Sequence, residues 1–469
     1  MNPPRILIAG DRSSSGKTTI VAGLLSALRA RGLIVQPFKV AMDYIDPSYH
    51  TWITGRFCRN LDGYVMPQET IKEVYQHGTQ GADVSVVEGV RGLYEGYEGD
   101  LGSTAQIAKM LQCPVIFVVD ARSITRSAAA LVKGYMDFDP QVQIKGVILN
   151  KIGSQRHADK AIREIESHAG VEVVGVIHRN DDMHLAMRHL GLVPVLEGER
   201  RHEGFVERLG RIKTIVEESL DIDRILELAG EAVPLPEVEE DLYRPGHSGR
   251  GLRVGIAQDE AFNFYYRENI ELFELAGAEV VPVSPVHDQR LPADLDGLYI
   301  GGGYPELYMA DLSRNEGMRR SIVRAQEAGM PIFGECGGLM YLSREIEWTV
   351  PGQGGADRVE SYPMVGLVPG RARMGKRRIV SYVSGTFDQD CVLGLPGSRF
   401  LGHEFHHSEL VMEEEATYAM RLDRGTGIAD GRDGVVAGNM LASYVHLHAA
   451  SYRGFPSRFI QACHDAKNK

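Results

Sequence analysis

The sequence predicts an α/β protein of two domains, and three observations carry that prediction. In the first half, short apolar runs alternate with amphipathic, helix-like segments, the pattern of a parallel sheet covered by helices on both faces. A stretch rich in Pro, Gly and charge then interrupts the alternation over residues 231–251. A new βα pattern starts at Arg253. A chain of 469 residues is also too long for one ordinary core. The expected division is a first domain at 1–232, a linker at 233–250 and a second domain at 251–469.

Composition excludes several classes. The apolar share of 43% and charged share of 24% are those of a soluble globular protein. A net charge of −12 argues against general nucleic-acid binding. No apolar run is long enough to span a bilayer, and the first ten residues lack a signal-peptide layout. The five cysteines, Cys58, Cys113, Cys336, Cys391 and Cys463, are scattered and odd in number, with neither a disulfide framework nor a CxxC zinc pair. A reducing, cytoplasmic setting is the expectation.

Taken in order, Arg5 to Ala9 reads as a buried strand and Lys17 to Ala30 as a helix. Between them runs Gly10-Asp11-Arg12-Ser13-Ser14-Ser15-Gly16-Lys17-Thr18-Thr19. The phosphate-loop pattern places four residues between its glycines; here five separate Gly10 from Gly16. The position is still right, because backbone N–H groups and the helix dipole at a helix N-terminus favour phosphate. Gly10, Ser15, Gly16, Lys17, Thr18 and Thr19 are therefore candidates for binding ATP. Lys17 would neutralise the β- and γ-phosphates, and the Thr18 hydroxyl would reach Mg²⁺. Val84–Val87, Val115–Val119 and Gly146–Leu149 are further strand candidates. Glu88 ends one of them, and Asp43 follows the strand-like Phe38-Lys39-Val40. Acids at the C-terminal ends of parallel strands face the ligand crevice, so both are Mg²⁺ candidates beside Thr18. An ordinary capping role would also account for either acid.

After the linker, Arg253–Ala257 and Glu279–Val283 read as strands flanking a helix from Tyr265 to Ala276. Pro331 to Met340 reads as a strand, a tight turn and a helix, with Cys336 at the turn between Gly334 and Gly337-Gly338. A cysteine on such an elbow is exposed and activated by the helix N-terminus. A structural cysteine would not need glycines on both sides. Among sixteen histidines, His446 in Ser443-Tyr444-Val445-His446-Leu447-His448 is the candidate base. Gly302 and Gly303 of Gly301-Gly302-Gly303-Tyr304-Pro305-Glu306, with Gly337, offer N–H groups for an oxyanion hole.

These motifs carry a resemblance. The Gly334-Glu335-Cys336-Gly337-Gly338 elbow, the Gly301–Glu306 turn and the Ser443–His448 segment resemble class I glutamine amidotransferase domains of the cobyrinate a,c-diamide synthase type. The long phosphate loop resembles the dethiobiotin-synthetase branch of P-loop proteins. The rest of the chain fits the same family through Asp43-Tyr44-Ile45-Asp46-Pro47-Ser48-Tyr49-His50-Thr51, Thr54-Gly55-Arg56, Arg59-Asn60-Leu61-Asp62, Gly102-Ser103-Thr104-Ala105, Arg188-His189-Leu190-Gly191-Leu192 and Ala261-Phe262-Asn263-Phe264-Tyr265-Tyr266. The resemblance implies a P-loop parallel-sheet domain followed by a flavodoxin-like amidotransferase domain. It implies that ATP phosphorylates a tetrapyrrole acetate, that Cys336 attacks L-glutamine while His446 shuttles protons, and that ammonia displaces the phosphate. It places Tyr44, Asp46, Tyr49, His50 and Arg59 at the tetrapyrrole polycarboxylate, and it is compatible with a homodimer. The usual class I enzyme has a Glu two residues after the histidine; here His448 stands there, so no third triad carboxylate is expected, as in the whole subfamily.

Departures within the family point to a branch. Ala41-Met42 replaces Gly-Pro, Arg91 replaces Met, and Ala186-Met187 replaces Pro-Glu. These resemble the methanogen branch that amidates Ni-sirohydrochlorin on the way to coenzyme F430; cobyrinate is the alternative substrate. Arg371, Arg373, Lys376, Arg377 and Arg378 form the densest basic cluster, either a substrate contact or a solvated turn. His403-Glu404-Phe405-His406-His407 formally matches the HExxH zinc pattern. That pattern needs a helix, and the flanking Gly397 and Gly402 argue against one, so no zinc is expected. A P-loop binding protein with a dead glutaminase domain is the rival of a different class; intact Cys336 and His446 oppose it.

Overall fold

The computed structural model describes residues 3–183, 187–188, 191–192, 204–239, 241–350 and 358–468. They form two compact units, Met1–Glu240 and Asp241–Lys469. Ala186, His189 and Leu190 of the expected motifs lie outside the described residues.

In the first unit, β1 (Arg5–Gly10), β2 (Val35–Val40), β3 (Arg59–Leu61), β4 (Val84–Glu88), β5 (Val115–Asp120), β6 (Ile144–Ile152) and β7 (Glu172–His178) form one sheet in the order β3-β2-β4-β1-β5-β6-β7. Every pairing is parallel. The strands β1, β2, β4 and β5 are buried at every position, which is why they read as continuous rather than alternating apolar runs. The crossover helices are α1 (Lys17–Ala30), α2 (Ile45–Thr54), α3 (Gln68–Thr79), α4 (Thr104–Met110), α5 (Arg126–Phe138) and α6 (Gln155–Ala169). Ser103 and Ser154 cap α4 and α6 by accepting from Gln106 and His157 backbone N–H groups. From β1 the chain first builds outward through β2 and later, through β5, on the other side. Ligands bind at such a switch, beyond the strand C-termini, where Gly10 and Glu88 lie.

In the second unit five strands run parallel in the order Glu279–Val283, Arg253–Ala257, Gly297–Ile300, Ile332–Glu335, Met440–Ser443. An antiparallel extension continues the sheet through Arg432–Ala437, Thr417–Arg424 and the long Val368–Phe387. Arg399–Met412 pairs with Val368–Phe387 and also with His446–Leu447. The helix expected from Tyr265 forms over Arg267–Leu275. It starts late because Tyr266 is extended and the Tyr265 hydroxyl accepts from Gly301 N–H at 2.7 Å, tying that segment to the glycine turn.

The stretch expected to be a linker is held by packing. Pro236 and Val238 bond to Gln76 of α3, while Gly246 and Gly249 N–H groups donate to Leu275 and Ala276 carbonyls. Among the described residues no helix is long and apolar enough to cross a membrane. All five cysteines are free.

Candidate functional site

The loop from Asp11 to Gly16 joins β1 to α1 and is shaped by close approaches. A Cβ on Gly10 would lie 2.3 Å from Ser15 Oγ. Gly16, at φ 98°, would place one 2.3 Å from Asn150 Nδ2. Asn150 at the end of β6 holds the loop by donating to the Ser15 carbonyl at 2.8 Å. Lys17 Nζ folds back on the loop, donating to the Arg91 carbonyl at 2.5 Å and the Arg12 carbonyl at 3.3 Å. Burial and the neighbouring Lys39 ammonium bring Lys17 down to about 8. The buried Ser15 hydroxyl has no hydrogen-bond partner among the described residues. The loop thus holds a cation and an unsatisfied hydroxyl close to Gly10.

Beside it lies a cluster of acids around Lys39 of β2. Lys39 Nζ is 2.6 Å from Asp46 Oδ2, 2.9 Å from Glu88 Oε1 and 4.0 Å from Asp43 Oδ2. The Thr18 hydroxyl lies 2.6 Å from Glu88 Oε1 and 3.1 Å from Asp46 Oδ2. His50 Nε2 meets the other Glu88 oxygen at 2.5 Å. Burial opposes the Lys39 charge, but Asp46, Glu88 and Asp43 outweigh it and hold its pKa above the ordinary value. Burial likewise opposes Glu88, and Lys39 with His50 holds it below the ordinary carboxylate range. The structure therefore joins Thr18, Asp46, His50 and Glu88 directly and sets Asp43 at the margin, where its Oδ1 caps α2 through Ile45 N–H at 2.9 Å. Tyr44 stands at the start of α2. Tyr49 is buried with its ring 5.8 Å from Phe205. Arg59 packs its stem beside Phe38 at Gly78 of α3. Lys39 escaped the sequence reading; its signal is a lysine inside a strand that is buried throughout.

In the second unit Cys336 occupies the elbow at φ 50°, ψ −94°, between Ile332–Glu335 and the helix Gly337–Leu342. Such a conformation costs an L-residue ~1–3 kcal/mol and persists only where its surroundings enforce it. The Cys336 N–H donates to the Ser443 carbonyl at 2.7 Å. A Cβ on Gly338 would lie 2.1 Å from the Ile300 carbonyl, and one on Gly337 would lie 3.0 Å from Gly303 N. The elbow is thus pressed onto the Gly302-Gly303 turn, and side chains there would force the two apart. One expectation is corrected: Cys336 is enclosed, only 6% exposed. The strand Arg399–Met412 passes over it, with the Phe405 carbonyl 3.8 Å from Sγ.

His446 is hydrogen-bonded to Cys336, and its Nδ1 lies 2.7 Å from Glu335 Oε1. The Tyr299 hydroxyl donates to the other Glu335 oxygen at 2.9 Å. The His446 ring stacks on His403, with centroids 4.7 Å apart. Burial would lower the His446 pKa, but Cys336 and Glu335 outweigh it and bring it up to about 10. His448 instead faces Glu268, at 3.3 Å. The zinc-like segment is part of a strand. There Glu404 accepts from the Thr426 and Gly427 N–H groups, at 2.8 and 2.6 Å. Among the described residues no three His, Cys, Asp or Glu side chains are arranged to hold a metal ion by themselves. Of the basic cluster, Arg371 pairs with Glu345 and Glu347, at 3.4 and 3.8 Å, and with Glu413. Arg373 pairs with Glu347 and Glu409, at 3.0 and 3.6 Å. Arg377 and Arg378 are exposed where the strand register shifts. The side chain of Lys376 lies outside the described residues.

Both parts of the chain match known families. Residues 6–193 match the CobQ/CobB/MinD/ParA nucleotide binding domain. Residues 253–454 match the CobB/CobQ-like glutamine amidotransferase domain. A cobyrinate a,c-diamide synthase of Methanosarcina acetivorans is 58% identical, over 98% of this chain and 95% of that protein. The chain belongs to the cobyrinate a,c-diamide synthase family. Another such synthase, from Methanothermobacter thermautotrophicus, is 43% identical over 97% of this chain and 98% of its own length. A hydrogenobyrinate a,c-diamide synthase of Streptomyces coelicolor is 41% identical over 98% and 97%. As a member of this family the chain is an amide-forming ligase with a nucleotide-binding domain and a glutamine amidotransferase domain.

Proposed function

We propose that the chain uses ATP and L-glutamine to amidate the a and c acetate side chains of a metallo-tetrapyrrole. The observation that carries this reading is the coexistence, in one chain, of the Lys17 loop with its acid cluster and the enclosed Cys336–His446 pair. In the second unit the Cys336 thiolate attacks the glutamine amide carbon. The C–N bond breaks, and ammonia leaves with a proton from His446. Water then hydrolyses the thioester, giving glutamate and restoring the thiol. Gly302, Gly303 and Gly337 supply the backbone N–H groups for the oxyanion. In the first unit the acetate oxygen takes the γ-phosphoryl group of ATP, the bond to the β–γ bridging oxygen breaks, and ADP leaves. Ammonia attacks the acyl carbon, and phosphate departs.

Mg²⁺ fits the first site. Its preference for a few carboxylates plus phosphate oxygens and water matches Thr18, Glu88 and Asp46, with Asp43 near, better than it matches a closed protein cage. Bound there it would neutralise phosphate charge, and the Lys39 ammonium holds the same carboxylates together without it. Gly10, Ser15, Gly16, Lys17, Thr18 and Thr19 hold the triphosphate. Tyr44, Asp46, Tyr49, His50 and Arg59 belong to the walls and approaches of the tetrapyrrole carboxylate.

Ni-sirohydrochlorin is the substrate supported by the sequence departures, two of which fall at this site. Arg91, at φ 49°, lends its carbonyl to Lys17. Ala41, at φ 73°, stands in the left-handed region that favours the glycine found in the cobyrinate branch. Cobyrinate is the second reading, favoured by what the relatives are called. Incubation with ATP, Mg²⁺ and glutamine, and with Ni-sirohydrochlorin, Co-sirohydrochlorin or cobyrinate in parallel, tests the proposal by product mass. Diamide from Ni-sirohydrochlorin alone supports the first reading, diamide from cobyrinate alone the second. No amide from any of the three removes the proposal. A cytoplasmic location and a homodimer complete the reading.

A further inference from the structure

We infer that Glu335, the residue immediately before the nucleophile, is the carboxylate that orients His446, so that the site is a Cys–His–Glu triad built in an unusual order. The inference rests on the assignment of Cys336 and His446 to glutamine hydrolysis. Three observations carry it. Glu335 is completely buried, with one oxygen 2.7 Å from His446 Nδ1. Its second oxygen is held by the Tyr299 hydroxyl at 2.9 Å, so the carboxylate cannot swing away from the ring. The usual place for the acid is taken by His448, which faces Glu268 at 3.3 Å and accepts from Ala450 N–H at 3.1 Å.

A carboxylate acceptor fixes the proton on Nδ1 and turns Nε2 toward Cys336, the tautomer that proton transfer at sulfur requires. As Cys336 gives up its proton, His446 becomes an imidazolium, and Glu335 stabilises that charge from Nδ1. The proton then goes to the departing ammonia, and a proton from the attacking water returns to Nε2. A purely structural ion pair is a poor explanation. Burying a carboxylate costs more than a pair in the interior ordinarily returns, and an apolar residue would serve stability as well. The other ionisable groups facing His446 are the Cys336 thiol and the stacked His403 ring, with His406 within electrostatic reach. Burial holds His403 and His406 neutral. Glu335 is therefore the negative side chain set against Nδ1.

The test is Glu335→Gln, with Tyr299→Phe as a milder companion and Cys336→Ala as a control. Each is assayed for glutamine hydrolysis across pH and for amidation from ammonium chloride. Glu335→Gln should lower kcat for glutamine by on the order of 10⁴-fold with little change in KM. The alkaline limb of the kcat/KM profile should move down by about one pH unit, because His446 loses the charge that keeps it protonated. Ammonium-supported amidation should remain at the wild-type rate. Tyr299→Phe should move kcat and the alkaline limb the same way by a smaller amount. An unchanged kcat and pH profile in Glu335→Gln overturns the inference, as does an equal loss with ammonium. If Glu335→Gln does not fold, an unchanged pH profile in Tyr299→Phe overturns it, and a shifted one supports it. Glutamine-dependent activity surviving in Cys336→Ala would instead remove the underlying site assignment.

Discussion

Gly302→Ala is expected to separate the two nitrogen sources. An added Cβ would lie 2.9 Å from His446 Cε1 and 3.2 Å from Phe264 Cβ. Comfortable carbon–carbon contact begins at about 3.5–4.0 Å, so the imidazole must retreat by roughly 0.6–1 Å. It has little freedom to do so. Its Nδ1 is bonded to Glu335 at 2.7 Å, and its face stacks on His403 at 4.7 Å between centroids. A displacement of about 1 Å in a positioned catalytic group costs on the order of 10²-fold, or ~2.7 kcal/mol of barrier. Overpacking should cost ~1–3 kcal/mol of stability. Backbone strain does not add to this, because Gly302 is outside the positive-φ region that holds Gly303 at φ 156°. The assay is amide formation with glutamine and with ammonium chloride in parallel, beside a thermal melt. The expected result is a loss near 100-fold with glutamine and none with ammonium. A wild-type glutamine rate, or an equal loss with both sources in a folded protein, would refute the geometry of the ring and its neighbours.

Other outcomes follow from the first unit and from the zinc-like segment. Lys17→Ala should abolish amidation with either nitrogen source, measured by ADP release and product mass, because the loop loses its phosphate cation. Lys39→Met should lower the unfolding free energy by ~3–5 kcal/mol, since the fully buried Glu88 keeps only His50 beside it and the half-buried Asp46 loses its ion pair. Added Mg²⁺ and ATP should restore part of that loss in a thermal melt, and a melt insensitive to both would contradict the shared role of these acids. Metal analysis of purified protein should find no stoichiometric zinc, because His403 and His407 lie on a strand rather than one helical face.

Much of the architecture was readable because its signals are local. Buried parallel strands are continuous apolar runs, so Arg5–Ala9 and Val115–Val119 declared themselves, as did Lys17–Ala30 with its loop. Glycines packed against backbone mark the elbow, and the structure explains them through the approach of Gly337 to Gly303 and of Gly338 to Ile300. What was hidden depends on contacts between distant segments. Glu335 looks like the last residue of a strand until His446, 111 positions away, folds against it. Lys39 looks like an outward-facing residue between Phe38 and Val40 until β4 brings Glu88 beside it at 2.9 Å. The enclosure of Cys336 has the same origin, since its cover comes from Phe405, 69 positions on. Arg371 and Arg373 read as free charge because Glu345, Glu347 and Glu409 lie on neighbouring strands, which only the sheet register reveals.

The most direct test of the two-site account is Cys336→Ala assayed with purified Ni-sirohydrochlorin or cobyrinate, ATP and Mg²⁺, changing only the nitrogen source. The account predicts no amide from glutamine and wild-type amide formation from ammonium chloride, with ADP released in step with product. Amide formed from glutamine, or none from ammonium in a folded protein, would contradict it.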